Sequence, residues 1–358
     1  MFKQMILAAA VAGVVLAMAA AAGAGVSGID QLTIAGQSML FVPVGDQNNA
    51  ADTQVRSDST TGYGSVGYLY DLGKYEVTNA QYTVFLKDAA KTTQYSTTWG
   101  LYYPATSRDA YCNGITRSGT SPNFTYALVT NFTGKPVNYV NWNNAAAFCN
   151  WLTTGDVNTG YYSMNSSTGV ATPNAFSHIA YAKINGLTYF IPTEDEWYKA
   201  AYYKGGTTNA YWDYPTQSDT APGTVTASST GVGSAGSAGN YANTGTTVHW
   251  KTGDSYGNVT TVGTNGGPGY YGTFDIGGNV WEWNEGIPVA GNRGMLGGSF
   301  YSDVAWLPAA QRASYAQAGV FYGMNGFRVS AVPEPATMCL LAFGGLVMLM
   351  GRRRRVRV

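Results

Sequence analysis

The chain has 358 residues, 11% of them charged, with 20 basic and 20 acidic side chains. So sparse and balanced a charge, with no clustered basic face before the last seven residues, gives no sign of a nucleic-acid-binding surface. An aromatic content of 14%, with 46 glycines and 27 tyrosines, excludes a disordered chain and points to many turns and few long helices.

In chain order, an apolar run over residues 5–22 follows Lys3 and leads into Ala22-Gly23-Ala24. A basic start, an apolar stretch and small residues at its end predict a cleavable signal peptide over 1–24. Residues 25–38 read as a polar, glycine-bearing linker. Met39 to Val44 is a strand candidate, and Tyr68 to Val77 alternates enough to be another. Thr78 with Gln81 three residues on is a capping-box pattern, predicting a helix from Asn79 through Leu86. A second helix is predicted over 141–152, capped by Asn141 or Asn143, with Ala145, Phe148, Cys149 and Leu152 on one stripe. Thr193 with Glu196 opens a third, which ends near Tyr203 before Lys204-Gly205-Gly206. From 206 to 272 the chain is turn-rich, and a loop stretch that long calls for an organiser such as a bound metal.

Cys112 and Cys149 either form a disulfide, which export permits, or stay as two buried thiols. At the end, Val332-Pro333-Glu334-Pro335 interrupts regular structure. An apolar run from Ala336 to Met350 follows, then Arg352 to Arg355. The run is short for a membrane span, and the arginines would hold its end on the cytoplasmic side. Lys3, these arginines, Arg357 and Glu334 lie in the end segments. The stretch between them keeps 14 of the 20 basic and 19 of the 20 acidic residues, so it is mildly acidic.

This three-part tail, over 332–358, resembles the PEP-CTERM sorting signal. The resemblance implies an exosortase-type processing partner. It also implies tethering to the inner membrane through a C-terminal transmembrane helix, then release to the cell surface or extracellular matrix.

Further motifs run through the middle of the chain. They are Gly73 to Tyr82, Lys135 to Trp142, Ile191 to Trp197, Gly272 to Trp283, Arg293 to Phe300, and Gly326-Phe327-Arg328-Val329. In this order they resemble the formylglycine-generating enzyme, or sulfatase-modifying-factor, family. The resemblance implies one α+β domain over 39–331, a variant of the C-type lectin fold with little regular secondary structure. The motif rings Tyr75, Trp142, Trp197, Trp281, Trp283 and Phe327 are expected to fill its core. Glu76, Glu194 and Glu196 are expected to cap helices or to pair with Arg312 or Arg328 rather than to act as acids.

The family binds calcium, and the Asp275 to Glu282 turn offers hard oxygen donors that suit it. By motif position the ligands are the side chains of Asp275 and Glu282 and the carbonyls of Gly278 and Val280. A second, looser calcium pattern falls on Asn240, Tyr241, Asp254 and Tyr256. In active members of the family a cysteine pair binds copper(I), which requires soft thiolates. Here those positions fall on Ser302 and Leu307, and no cysteine lies between residues 150 and 338. Copper is therefore not expected, and neither is formylglycine oxidase activity. A serine hydrolase at Ser302 would need a base, and the two histidines, His178 and His249, lie outside every motif. Three functions follow: a binding module for polysaccharide or an envelope partner, an enzyme with altered oxidase or other chemistry in the same cleft, or a structural component of the matrix. The cleft beside Ser302 and Trp306 is where the ligand is expected.

Overall fold

The computed structural model describes residues 30–104, 112–206, 210–312 and 315–333. The signal-peptide stretch and the tail beyond Pro333 lie outside these residues. The elements in order are β1 (Gln31–Ile34), β2 (Gln37–Val44), β3 (Tyr70–Gly73), α1 (Asn79–Ala89), β4 (Ile115–Ser118), β5 (Thr125–Leu128) and α2 (Trp142–Thr154). There follow β6 (Tyr162–Met164), β7 (Ala171–Pro173), α3 (His178–Asn185), β8 (Thr188–Phe190), α4 (Glu194–Tyr202), β9 (Gly223–Thr224) and β10 (Tyr241–Ala242). The last are β11 (Trp281–Trp283), β12 (Asn292–Leu296), a 3-10 turn (Val304–Trp306), β13 (Tyr315–Gln317), β14 (Asn325–Gly326) and β15 (Ser330–Val332).

Two sheets organise the fold. The larger is antiparallel in the order β1-β2-β3-β15-β8, so the last strand lies between strands from the first third and the middle of the chain. The smaller runs β13-β12-β11-β14 and carries the Trp281-Glu282-Trp283 motif on β11. Trp142, Trp197, Trp283, Phe85, Phe148 and Phe327 are buried in one continuous core. Such rings bury on the order of 150–250 Å² each, which compensates for the scarcity of long helices.

The helix starts follow the caps. Thr78 and Thr193 each close a complete capping box, with Gln81 and Glu196 returning the bond. Asn141, not Asn143, caps α2 through a 2.8 Å bond from the Asn144 amide. That helix runs two residues beyond Leu152, to Gly155 in the left-handed region at φ 79°. The strand expected over 68–77 is shorter, because only Tyr70–Gly73 keeps the ladder. Beyond it the Lys74 amide bonds back to Leu40, and the Val77 amide bonds Phe327. The stretch read as a linker contains β1, whose residues pair with β2 from Gln31↔Leu40 to Ile34↔Gln37. Cys112 and Cys149 are both buried and are not joined by a disulfide, which answers the open question. Tyr75 is only half-buried and tilts against Phe274, so that motif ring sits at the edge of the core.

Candidate functional site

The Gly297-Gly298-Ser299 turn leaves β12 with both glycines at positive φ. A Cβ added to Gly298 would stand 2.8 Å from Leu307 Cδ1 and 3.8 Å from Ser302 Cβ. Ser302 and Leu307, far apart in rotation along the chain, therefore flank one glycine. Leu307 is fully buried, and its carbonyl accepts a 2.9 Å bond from Tyr202. The Ser302 hydroxyl accepts from the Ser299 amide at 3.1 Å and lies 3.0 Å from the Ser299 hydroxyl. Among the described residues, its hydrogen-bond partners include neither a histidine nor a carboxylate, the usual base for a nucleophilic serine.

Beside this turn opens a cleft of about 350 Å³. Its walls include Tyr103, Tyr139, Tyr256, Tyr301, Phe321 and Tyr322. Tyr103 stacks on Phe321 at 4.6 Å and on Tyr139 at 5.8 Å, giving a column of three near-parallel rings. Across it Tyr301 meets Tyr256 edge-on at 5.8 Å. Among the described residues, no charged side chain lines the cleft. Trp306 is not in its wall but packs edge-on against Trp281. Tyr256, expected among calcium ligands, belongs to this aromatic wall.

The Asp275–Glu282 segment has a different character from the one its motif suggests. Glu282 is buried and fully engaged: Arg328 donates to it from Nε at 2.5 Å and from Nη2 at 2.6 Å, and Trp197 donates at 2.7 Å. Arg328 also donates to the carbonyls of Gly73 and Phe274. Burial alone would lower the pKa of this guanidinium, but Glu282 beside it holds it above the usual value. Arg328 thus has Glu282 as its carboxylate, while Arg312 pairs with Glu194, as does Arg56 at 2.7 Å.

Asp275, at φ 54°, accepts from the Gly263 amide and, at 2.8 Å, from Asn265. It borders a cavity of about 10 Å³ together with Tyr241 and Thr273, room for roughly one water or ion. Asn265 in turn accepts from Thr260, Thr260 bonds Asn279, and Asn279 donates to Glu76 at 3.1 Å. Asn243 joins at Asn279. Two oxygens of this network, Glu76 Oε2 and Asn243 Oδ1, are buried with no hydrogen-bond partner among the described residues. Burial pushes the Asp275 carboxyl up to about 6. It also raises Glu76 well above the carboxylate range, with Asp275 and Glu282 adding to the effect.

The other residues of the second calcium pattern disperse. Asn240 ties a turn through Thr216, Ser218 and Thr220. Asp254 accepts from the Trp250 and Lys251 amides. Among the described residues, no group of three or more His, Cys, Asp or Glu side chains is placed to hold a metal. By donor chemistry the hard oxygens of Asp275, Glu76 and Asn243 suit a hard cation, while Glu282 already accepts three hydrogen bonds. Nothing in local sequence marks Asn243, Thr260 or Asn265, since Asn and Thr in a turn-rich stretch read as turn formers.

His178 was also invisible as a centre. It is buried at the start of α3, stacked 3.9 Å from the Phe190 ring. Its Nδ1 is 3.1 Å from Glu196, and its Nε2 is 3.3 Å from Glu285. Burial favours the neutral ring, but the two carboxylates outweigh it and raise its pKa to about 10. Tyr68 and Tyr162 donate to the same carboxylates at 2.7 and 2.6 Å. This closed assembly is an internal clamp.

With this geometry in hand, residues 29–331 match the sulfatase-modifying factor enzyme 1-like domain. The chain belongs to that family. Residues 331–355 match the PEP-CTERM protein-sorting motif, which implies sorting by an exosortase-type system and points to export with membrane-associated sorting. Treponema denticola variable protein 1 has a similar structure, with a TM-score of 0.53 at 20% identity, covering 86% of this chain and all of that one. CarF, with a TM-score of 0.47 at 18% identity, covers 83% of this chain and 99% of its own. PvdO from Pseudomonas aeruginosa, at 0.44 and 14%, covers 86% and 99%. These likenesses concern the fold alone. No curated protein matches the sequence. Among the described residues, no helix of this sulfatase-modifying-factor domain is long and apolar enough to cross a membrane.

Proposed function

We propose that this protein is an exported, membrane-tethered binding module of the sulfatase-modifying-factor family, and that its aromatic cleft takes an uncharged stretch of polysaccharide. The charge-free column of Phe321, Tyr103 and Tyr139 carries the reading. Flat rings pack against the apolar faces of pyranose rings, and tyrosine hydroxyls at the rim bond sugar hydroxyls. Cys112 stands in the cleft wall, but Ser302 and Leu307 add no second thiolate to make a copper(I) pair, which favours binding over oxidation.

Binding to exopolysaccharide by affinity electrophoresis or glycan array tests this directly. Tyr301→Ala and Phe321→Ala should each weaken binding about tenfold, the equivalent of ~1.4 kcal/mol for a lost ring contact. Unchanged affinity in both variants would remove the cleft from the argument. The competing enzyme reading has its own test. Incubation with copper and a peptide carrying Cys-x-Pro-x-Arg should leave the cysteine unmodified, and formylglycine in the product would overturn the binding reading.

Calcium is the second part of the proposal. Asp275, Glu76 and Asn243 would hold the ion, with the Gly278 and Val280 carbonyls, and the charge would offset buried carboxylates that otherwise must take up protons. Excess chelator should lower the melting temperature by about 5–10 °C, as expected when a ligand bound only by the folded state is withdrawn. Added calcium should restore it. Scanning calorimetry with and without chelator reads this, and an unchanged melting temperature removes calcium from the account.

A further inference from the structure

The last strand leaves the domain at a defined place. β15 runs antiparallel to β8 with Val332 opposite Thr188, so the outgoing chain passes Leu187 and the end of α3. Helix α3 packs on both β8 and β15. From Val332 to Ala336, where the apolar run starts, there are four residues, which reach at most about 14 Å even when fully extended. A domain held by an inserted tail therefore keeps this corner against the bilayer surface, because no spacer exists to lift it away.

The corner is dressed for that position. Ile184, in the last turn of α3, is 67% exposed, and Leu187, just before β8, is 39% exposed. Lys183, also exposed, stands beside them at the end of the helix. Exposed apolar side chains next to a cation match the boundary between acyl chains and anionic headgroups. A single exposed isoleucine means little. Two large apolar residues at the one point that chain connectivity brings to the membrane mean more.

We infer that the α3–β8 corner, through Lys183, Ile184 and Leu187, is a membrane-contacting surface that seats the folded domain on an anionic bilayer for as long as the tail is attached. The inference rests on insertion of the Ala336–Met350 run. Processing of the tail would release the contact, because three side chains alone bury too little to hold a soluble domain on lipid.

The test uses the full chain reconstituted into vesicles of phosphatidylethanolamine and phosphatidylglycerol. Spin labels are placed at Ile184→Cys and, in a second variant, at Leu187→Cys, with Cys339→Ser removing the tail thiol; Cys112 and Cys149 are buried. A reference label at Val232→Cys sits between Gly231 and Gly233, which abut Trp250 and Asn265 in the loop layer. Power saturation with oxygen and with a nickel chelate reads depth. The labels at 184 and 187 should gain oxygen accessibility and lose nickel accessibility relative to 232, placing them about 5–10 Å into the interface. A label on native Cys339, in otherwise unaltered protein, reports separately whether the tail is inserted. An inserted tail with labels at 184 and 187 as accessible to nickel as at 232 overturns the contact surface alone. A Cys339 label in water overturns the tether, and the contact surface with it.

Discussion

Arg328→Met should destabilise the domain by about 3–5 kcal/mol, the cost typical of stranding one member of a buried ion pair. Both partners are sequestered, and the three other groups that bond them come from different parts of the chain: Trp197 on α4, Gly73 at the end of β3 and Phe274 before β11. Losing the guanidinium leaves Glu282 with the Trp197 donor alone and leaves the Gly73 and Phe274 carbonyls without it. The double variant Arg328→Met, Glu282→Gln should recover much of the loss, since replacing both charges removes the desolvation problem instead of exposing it. Urea denaturation of the two variants and the wild type measures this. A single-variant loss below about 1 kcal/mol would mean that the pair is worth no more than a surface one.

His178→Gln should cost a similar amount, about 3–5 kcal/mol, because Glu196 and Glu285 would then face each other in the core without the cation between them. The pH dependence identifies the cause. A histidine in the unfolded chain loses its proton near 6.5, whereas folded His178 keeps it to about 10. A raised folded-state pKa stabilises fully below the unfolded value and loses its effect as pH rises through the folded one. Glu196 is shifted the other way: burial opposes ionisation, but His178 and its hydrogen bonds win and hold it below 4.5. Its contribution is present above that value and fades in acid. Stability should therefore be greatest between these limits and should decline from near neutrality toward pH 10. The His178→Gln variant should lose that alkaline slope. If wild type and variant fall in parallel over that range, the imidazolium is not what the carboxylates stabilise.

Features that depend on neighbours in sequence could be read without coordinates. Thr78-Gln81 and Thr193-Glu196 announce their helices because a capping box closes over three residues. The expectation that Ser302 and Leu307 take the copper-binding positions rests on fixed offsets to Gly297-Gly298-Ser299, and in three dimensions both side chains lie beside Gly298. What depended on partners far along the chain was hidden. Glu282 looks like a free carboxylate at the end of an oxygen-rich turn until Arg328, 46 residues on, occupies it. His178 opens an eight-residue helix whose Ser177 cap makes no side-chain bond, so no local signal drew attention to it. The aromatic cleft gathers Tyr103, Tyr139, Tyr256 and Phe321 from four separate segments, and composition registered only that tyrosine is abundant. The Asn243–Asn265–Asn279 network stayed unread because asparagine in a loop has a simpler use.

The position of β15 also has a temporal meaning. Ser330–Val332 fills the gap between β3 and β8, so the principal sheet cannot be completed until nearly all of the domain has been made available to it. During secretion, β1, β2 and β3 emerge early with one edge unpaired and must wait for more than two hundred residues before their neighbour arrives. A chain built this way is expected to gain protease resistance only once β15 has paired. Nascent chains stopped before Ser330 should remain sensitive to protease, while those extended past Val332 should resist it. The closing strand and the sorting tail are contiguous, so completion of the fold and presentation of the address occur together, and an unfinished domain has no tail to be read.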